Sequence, residues 1–149
     1  MASREAIPLE RARERLARLW VILGGAIVLF FVAGTLGGKY APDPGAVWSW
    51  LLPSILPSLG TIVSVWGYAA LNPAKAQECV QKSFYHVALG ISVFYLLLIP
   101  LPVFVSPFTG TSCLDLMKTS NLWLGPLQGL VAAALGVLFA SKQKAKGAE

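Results

Sequence analysis

Long stretches of this chain contain no charged residue, and that absence organises the rest of the sequence. Only 13% of the 149 residues are Asp, Glu, Lys or Arg, against about 25% in an average soluble domain. The charges gather in five places: Arg4–Arg18, Lys39 with Asp43, Lys75–Lys82, Asp115 with Lys118, and the tail Lys142–Glu149. Four uncharged stretches lie between them, at 19–38, 44–74, 83–114 and 119–141. Proton- and ion-coupled transporters keep an ionisable side chain at membrane depth, so its absence here argues against that class. Cysteine is scarce as well. Cys79 and Cys113 stand alone with no CxxC between them, which leaves neither redox chemistry nor a zinc site with ligands. His86 is the only histidine. Serine-nucleophile and phosphate-loop motifs are missing too. The expectation is a protein with no catalytic residues, no cofactor and no metal, and not an enzyme.

Several membrane families are excluded by the same reasoning. Small multidrug exporters need a carboxylate in the first span, and the stretch 19–38 has none. Thiol-oxidising four-helix proteins need paired cysteines, and tetraspanins a Cys-Cys-Gly signature. Asn72-Pro73-Ala74 spells an aquaporin motif, but that pore needs two such motifs and six full spans. Asn72-Pro73 reads as a helix stop, and the two halves of the chain share no repeat of the kind inverted transporters carry.

What is present is apolar surface. The composition is 56% hydrophobic and the mean hydropathy +0.66. A soluble fold of this size buries only about two-thirds of its surface, too little to hide so much. A membrane helix needs about 20 apolar residues to cross about 30 Å of hydrocarbon, and each uncharged stretch can hold one. The sequence therefore predicts an all-α integral membrane four-helix bundle, a single domain with spans near 19–37, 47–71, 83–104 and 121–140. Residues 1–18 form a short N-terminal cytosolic helix and 141–149 a cytosolic tail. Leu9, Ala12, Leu16, Leu19 and Leu23 recur at helical spacing, Pro8 suits a first turn, and Glu14 and Arg18 form an i,i+4 pair. This basic start also looks like a signal-peptide n-region, but Gly34-Thr35-Leu36-Gly37 is a poor cleavage site. Pro53 and Pro57 predict a kink in the second span, and Pro100-Leu101-Pro102 a break in the third. Residues 105–120 read as a short polar loop.

Lysine and arginine set the orientation. Five lie in the N-terminal flank, two in the middle loop and three in the tail, against Lys39 and Lys118 in the other two loops. The positive-inside rule then puts both termini and the middle loop in the cytoplasm, as a multi-pass protein of the cell membrane. Cys79 and Cys113 fall on opposite sides. Trp20, Tyr85, Trp66 and Tyr68 are expected in the inner aromatic belt, and Tyr40, Trp48, Trp50 and Trp123 in the outer one. The net charge of +5 is explained by lipid headgroups, with no nucleic acid as partner.

Three groups of residues stand out as candidate sites. Gly125, Gly129, Ala132, Ala133, Gly136 and Ala140 recur at three- and four-residue steps, a small-residue face for close helix packing inside the monomer or between subunits. Ser54, Ser58, Thr61 and Ser64 form a hydroxyl stripe. It either lines a polar path or bonds to its own helix near carbonyls released by the prolines. Gln128 is the one strong amide deep in the fourth span and calls for an interhelical hydrogen bond. His86, near a membrane interface, is a hydrogen-bonded anchor or a pH sensor. The functional expectation is a non-catalytic membrane protein that self-associates or docks a cytosolic or membrane partner, and a pore-forming effector is its sharper form. The alternatives are a small channel or transporter for a neutral solute, and an accessory subunit of a larger complex.

Overall fold

A computed structural model describes residues 6–71 and 79–140. The chain is mostly helical. A short strand β1 (Ala6–Pro8) leads into α1 (Leu9–Leu19). A π-helical turn at Trp20–Gly24 carries α1 without a break into α2 (Gly25–Leu36). α3 spans Pro44–Leu71, and strand β2 (Cys79–Gln81) precedes α4 (Lys82–Leu98). α5 covers Leu101–Thr109, and α6 covers Cys113–Ala140. Three rods are long and apolar enough to cross a membrane: Leu9–Leu36, Pro44–Ser64 and Cys113–Phe139. The pair α4–α5, bent by 41° at its break, makes a fourth if it counts as one span.

Several boundaries differ from the sequence reading. The third loop shrinks to residues 110–112, because most of the expected polar segment is helical. Gly110 ends α5 with φ +62°, where a left-handed C-cap favours glycine. Ser112 then caps α6 reciprocally with Asp115. The Asp115 N–H donates to Ser112 Oγ at 3.2 Å, and the Ser112 hydroxyl donates to the Asp115 carboxylate at 2.6 Å. α3 starts three residues early, at Pro44. Asp43 is its cap, accepting from the Ala46 N–H at 3.1 Å, and proline suits a first helical position. Pro8 lies in strand β1, so the first helix begins one residue later. The fold is therefore not purely helical: β1 pairs antiparallel with β2, Ala6 opposite Gln81.

The N-terminal helix is docked against the rest of the chain. Leu9, Ala12, Leu16 and Ala17 bury one face of α1, while Glu10, Arg11, Glu14, Arg15 and Arg18 face outward. Arg13 falls on the buried face. Its Nε donates to the Leu138 carbonyl at 2.7 Å, and its guanidinium carbon lies 5.9 Å from the Phe139 ring centroid. A cation at the last carbonyls of α6 complements the negative end of that helix. Strand pairing and Arg13 together gather residues 6–13, 79–81 and 138–139 at one end of the molecule.

Aromatic packing closes the opposite end. Tyr40 folds back across α2, its ring centroid 5.8 Å from that of Phe31, and Trp50 stands 6.1 Å from Phe31. The Trp48 indole donates to Thr35 Oγ1 at 3.2 Å. Burial pushes the pKa of the Tyr40 hydroxyl up, and the neighbouring Cys113 adds to the effect. Four rings expected in interfacial belts are instead core residues: Trp20, Tyr40, Trp50 and Tyr85. Trp20 lies 6.2 Å from Tyr95, ring centroid to centroid. Trp66 and Trp123 do face outward. The side chains of Tyr68 and Ala140, the Asn72-Pro73-Ala74 motif and the Lys-rich tail lie outside the described residues.

Candidate functional site

The functional candidates converge on the seam between α3 and α6, the most extensively packed pair of helices. Chemistry at this seam begins with proline. Pro57 has no N–H, so the Pro53 carbonyl one turn earlier loses its helical donor. Gln128 supplies the replacement, donating from Nε2 to Pro53 O at 2.7 Å. The next carbonyl, that of Ser54, accepts from the Tyr95 hydroxyl at 2.8 Å. Consecutive carbonyls of α3 are thus gripped from α6 and from α4. Where no water competes, an unsatisfied backbone group is costly, and such bonds fix the relative position of helices.

The hydroxyl stripe does not form one wall. Ser54 and Ser58 are buried, whereas Thr61 and Ser64 face outward. Ser54, Thr61 and Ser64 each donate to a carbonyl one turn back, those of Trp50, Pro57 and Gly60 at 3.0, 2.9 and 2.7 Å. A continuous polar path inside the monomer is not formed by these residues. Ser58 Oγ is buried without a hydrogen-bond partner among the described residues, as are Ser92 Oγ and the Trp20 indole nitrogen.

Above the Gln128 contact the seam opens into a cleft of about 230 Å³. Ser49, Trp50, Ser54, Asn121, Gly125 and Gln128 are among its lining residues. The lining carries hydroxyls and two amides but no acid, base or thiol. Its chemistry is therefore hydrogen bonding to neutral groups, not proton transfer or nucleophilic attack. Asn121 was missed by the sequence reading, although Asn121, Gly125 and Gln128 follow one another at i, i+4 and i+7 and share a helical face. Arg13 was missed for a similar reason. It sits among Leu9, Ala12, Leu16 and Ala17, where a helical projection places it inside the apolar stripe.

The small-residue row takes a different position. The buried face of α6 is built from Leu124, Val131, Leu135 and Leu138. Gly129, Ala132 and Ala133 face outward, Gly125 opens onto the cleft beside Gln128, and Gly136 is half-exposed. A Cβ added at Gly125, Gly129 or Gly136 would meet nothing within 4 Å. Within the described residues of the monomer, larger side chains fill the packed face of α6 and the row leaves it open. His86 is also outward-facing, its Nδ1–H donating to the Lys82 carbonyl at 2.8 Å, which ties the ring to the first turn of α4. No group of three or more potential metal ligands occurs among the described residues. Comparison with protein-family models, with curated proteins and with solved structures gave no match.

Proposed function

We propose that this chain is a non-catalytic four-span membrane protein that self-associates through the outer face of α6. The spans are the rod 9–36, α3, the bent pair α4–α5, and α6, with both chain ends on the cytoplasmic side. Clustering of residues 6–13, 79–81 and 138–139 at one end supports that arrangement, because Arg11, Arg13, Arg15, Arg18 and Lys82 fall at the same end. One observation carries the assembly: the open glycines Gly129 and Gly136 and two outward alanines in the charge-free stretch 119–140 of α6. Lipid gives helices no hydrophobic reason to associate, so close backbone approach must supply the attraction. Glycine against lipid offers no contact and costs about 1 kcal/mol of helix stability relative to alanine.

Chemical crosslinking in native membranes and sizing in mild detergent test the proposal. Wild-type protein should run as an oligomer, and Gly129→Leu and Gly136→Leu as folded monomers. Variants that keep the wild-type assembly would overturn it. A purified chain that is strictly monomeric would favour an accessory subunit whose partner helix is foreign. Dye release from liposomes tests the pore-forming version: bilayers that stay tight at high protein density rule it out.

The polar cleft favours a second reading, passage or capture of a small neutral solute. Asn121→Leu together with Ser54→Ala should abolish flux in reconstituted vesicles without altering assembly. Unchanged flux counts against this reading.

A further inference from the structure

An apolar groove of about 200 Å³ runs down the outside between α2 and the α4–α5 elbow. Ala26 and Phe30 belong to one wall, and Leu97, Pro100 and Phe104 to the other. The groove lies where α5 turns by 41° after the break at Ile99–Pro100. Phe30 and Phe104 are stacked at 5.6 Å. Leu97 and Phe104 are 62% and 59% exposed, so no described part of the chain covers them. The ammonium of Lys39 lies over the Phe30 ring, 5.8 Å from its centroid. No carboxylate among the described residues pairs with Lys39.

We infer that the groove holds one acyl chain of an anionic phospholipid, with the lipid phosphate against Lys39. Charge and chemistry point to this occupant. Among the described carboxylates, Glu10 and Glu14 lie on α1 at the far end, and Asp43 and Asp115 cap α3 and α6, so the helices of a second copy offer Lys39 no uncommitted anion. A phospholipid supplies an apolar tail and an anionic head in one molecule. Lys39 also stands at the end of the molecule away from the basic residues of α1, at a membrane boundary in the topology above. The inference rests on the membrane reading but not on self-association.

Native mass spectrometry of the full chain, taken from bilayers of equal phosphatidylglycerol and phosphatidylcholine, tests it. Wild-type protein should retain one phospholipid, with phosphatidylglycerol favoured about fivefold, the preference one surface lysine confers. Lys39→Gln should keep a lipid and lose the preference. Ala26→Phe, and Leu97→Trp as a second variant, should fill the groove and release the lipid while circular dichroism and membrane extraction stay unchanged. A wild-type protein without bound lipid overturns the inference. So does a preference that survives Lys39→Gln, or retention by both filling variants. The same spectra report oligomeric mass separately, and a protein absent from the membrane fraction would instead sink the membrane reading itself.

Discussion

Gly34 and Gly129 are the same residue type in opposite surroundings. At Gly34 a Cβ would lie 2.7 Å from the Tyr40 ring, which is buried and stacked on Phe31; at Gly129 a Cβ would meet nothing within 4 Å. The first glycine is explained by its own chain. Tyr40 crosses α2 so closely that only a hydrogen fits beneath it. The second has no neighbour to make room for. A helix that includes Gly125, Gly129 and Gly136 forgoes the stability alanine would give, and nothing inside the monomer compensates. Two glycine sites of equal intrinsic cost thus divide into one whose neighbour is present and one whose neighbour is missing.

The largest effect is expected where the neighbour is present. Gly34→Leu should yield no folded protein. Gly34→Ala should lower stability by about 1–3 kcal/mol, the range for overpacking a tight site. Tyr40 cannot simply swing aside, because Phe31 holds its ring and Trp50 backs Phe31. Unfolding midpoints in mixed micelles measure the loss, and Tyr40→Ala in the same chain should cancel most of it. Equal stability of Gly34→Ala and wild type would mean that the corner is loose and the contrast with Gly129 empty.

Arg13→Leu comes next. Hydrogen bonds to charged groups contribute about 1.5–3 kcal/mol, and this side chain holds the last carbonyls of α6. Limited proteolysis should then reach residues 6–19 sooner than in wild type, at unchanged oligomer size. An Arg13→Leu protein that loses the oligomer as well would tie the outer face of α6 to its capped end.

Gln128→Leu tests the inner face of the same helix. Removing the donor to Pro53 should cost about 0.6–1.7 kcal/mol, the measured span for hydrogen bonds between membrane helices. The loss should appear in the monomer's unfolding midpoint and leave assembly untouched. Dissociation of the oligomer by Gln128→Leu would show that the two faces of α6 are not independent.

Apolar helices long enough to cross a membrane were legible in the sequence, because charge-free runs of that length have few other uses. Local capping signals were legible in principle yet outweighed: Ser112-x-x-Asp115 spells a helix start, but Ser106, Thr109 and Thr111 before it read as loop. The direction each face points was not legible. Periodicity says that Gly125, Gly129 and Gly136 share a face with one another. It does not say whether that face meets α3 or lipid, because in α6 both faces are apolar. Trp20 and Tyr85 misled for the same reason, since aromatic rings near span ends serve equally as interface anchors and as core. Arg13 is the reverse case, a charge on an apolar stripe whose partner lies 125 residues away in sequence.

The smallest expected effect decides most, because its sign differs between the two accounts of Gly129. Alanine adds one methyl group and up to about 1 kcal/mol of helix propensity. On a face that meets only lipid, Gly129→Ala should raise the monomer's unfolding midpoint and change nothing else. On a face crossed closely by a second copy, the methyl still favours the helix in the monomer, but it holds the two backbones apart. Two measurements therefore move in opposite directions: the monomer, measured at high dilution in lipid, gains stability, and the oligomer fraction at high protein density falls. Energy transfer between labelled copies reads the second quantity directly. A gain in the monomer with no loss of oligomer would make the row a lipid-facing surface and remove the case for assembly through α6. A loss in the monomer would place a contact inside the chain where the structure has open space.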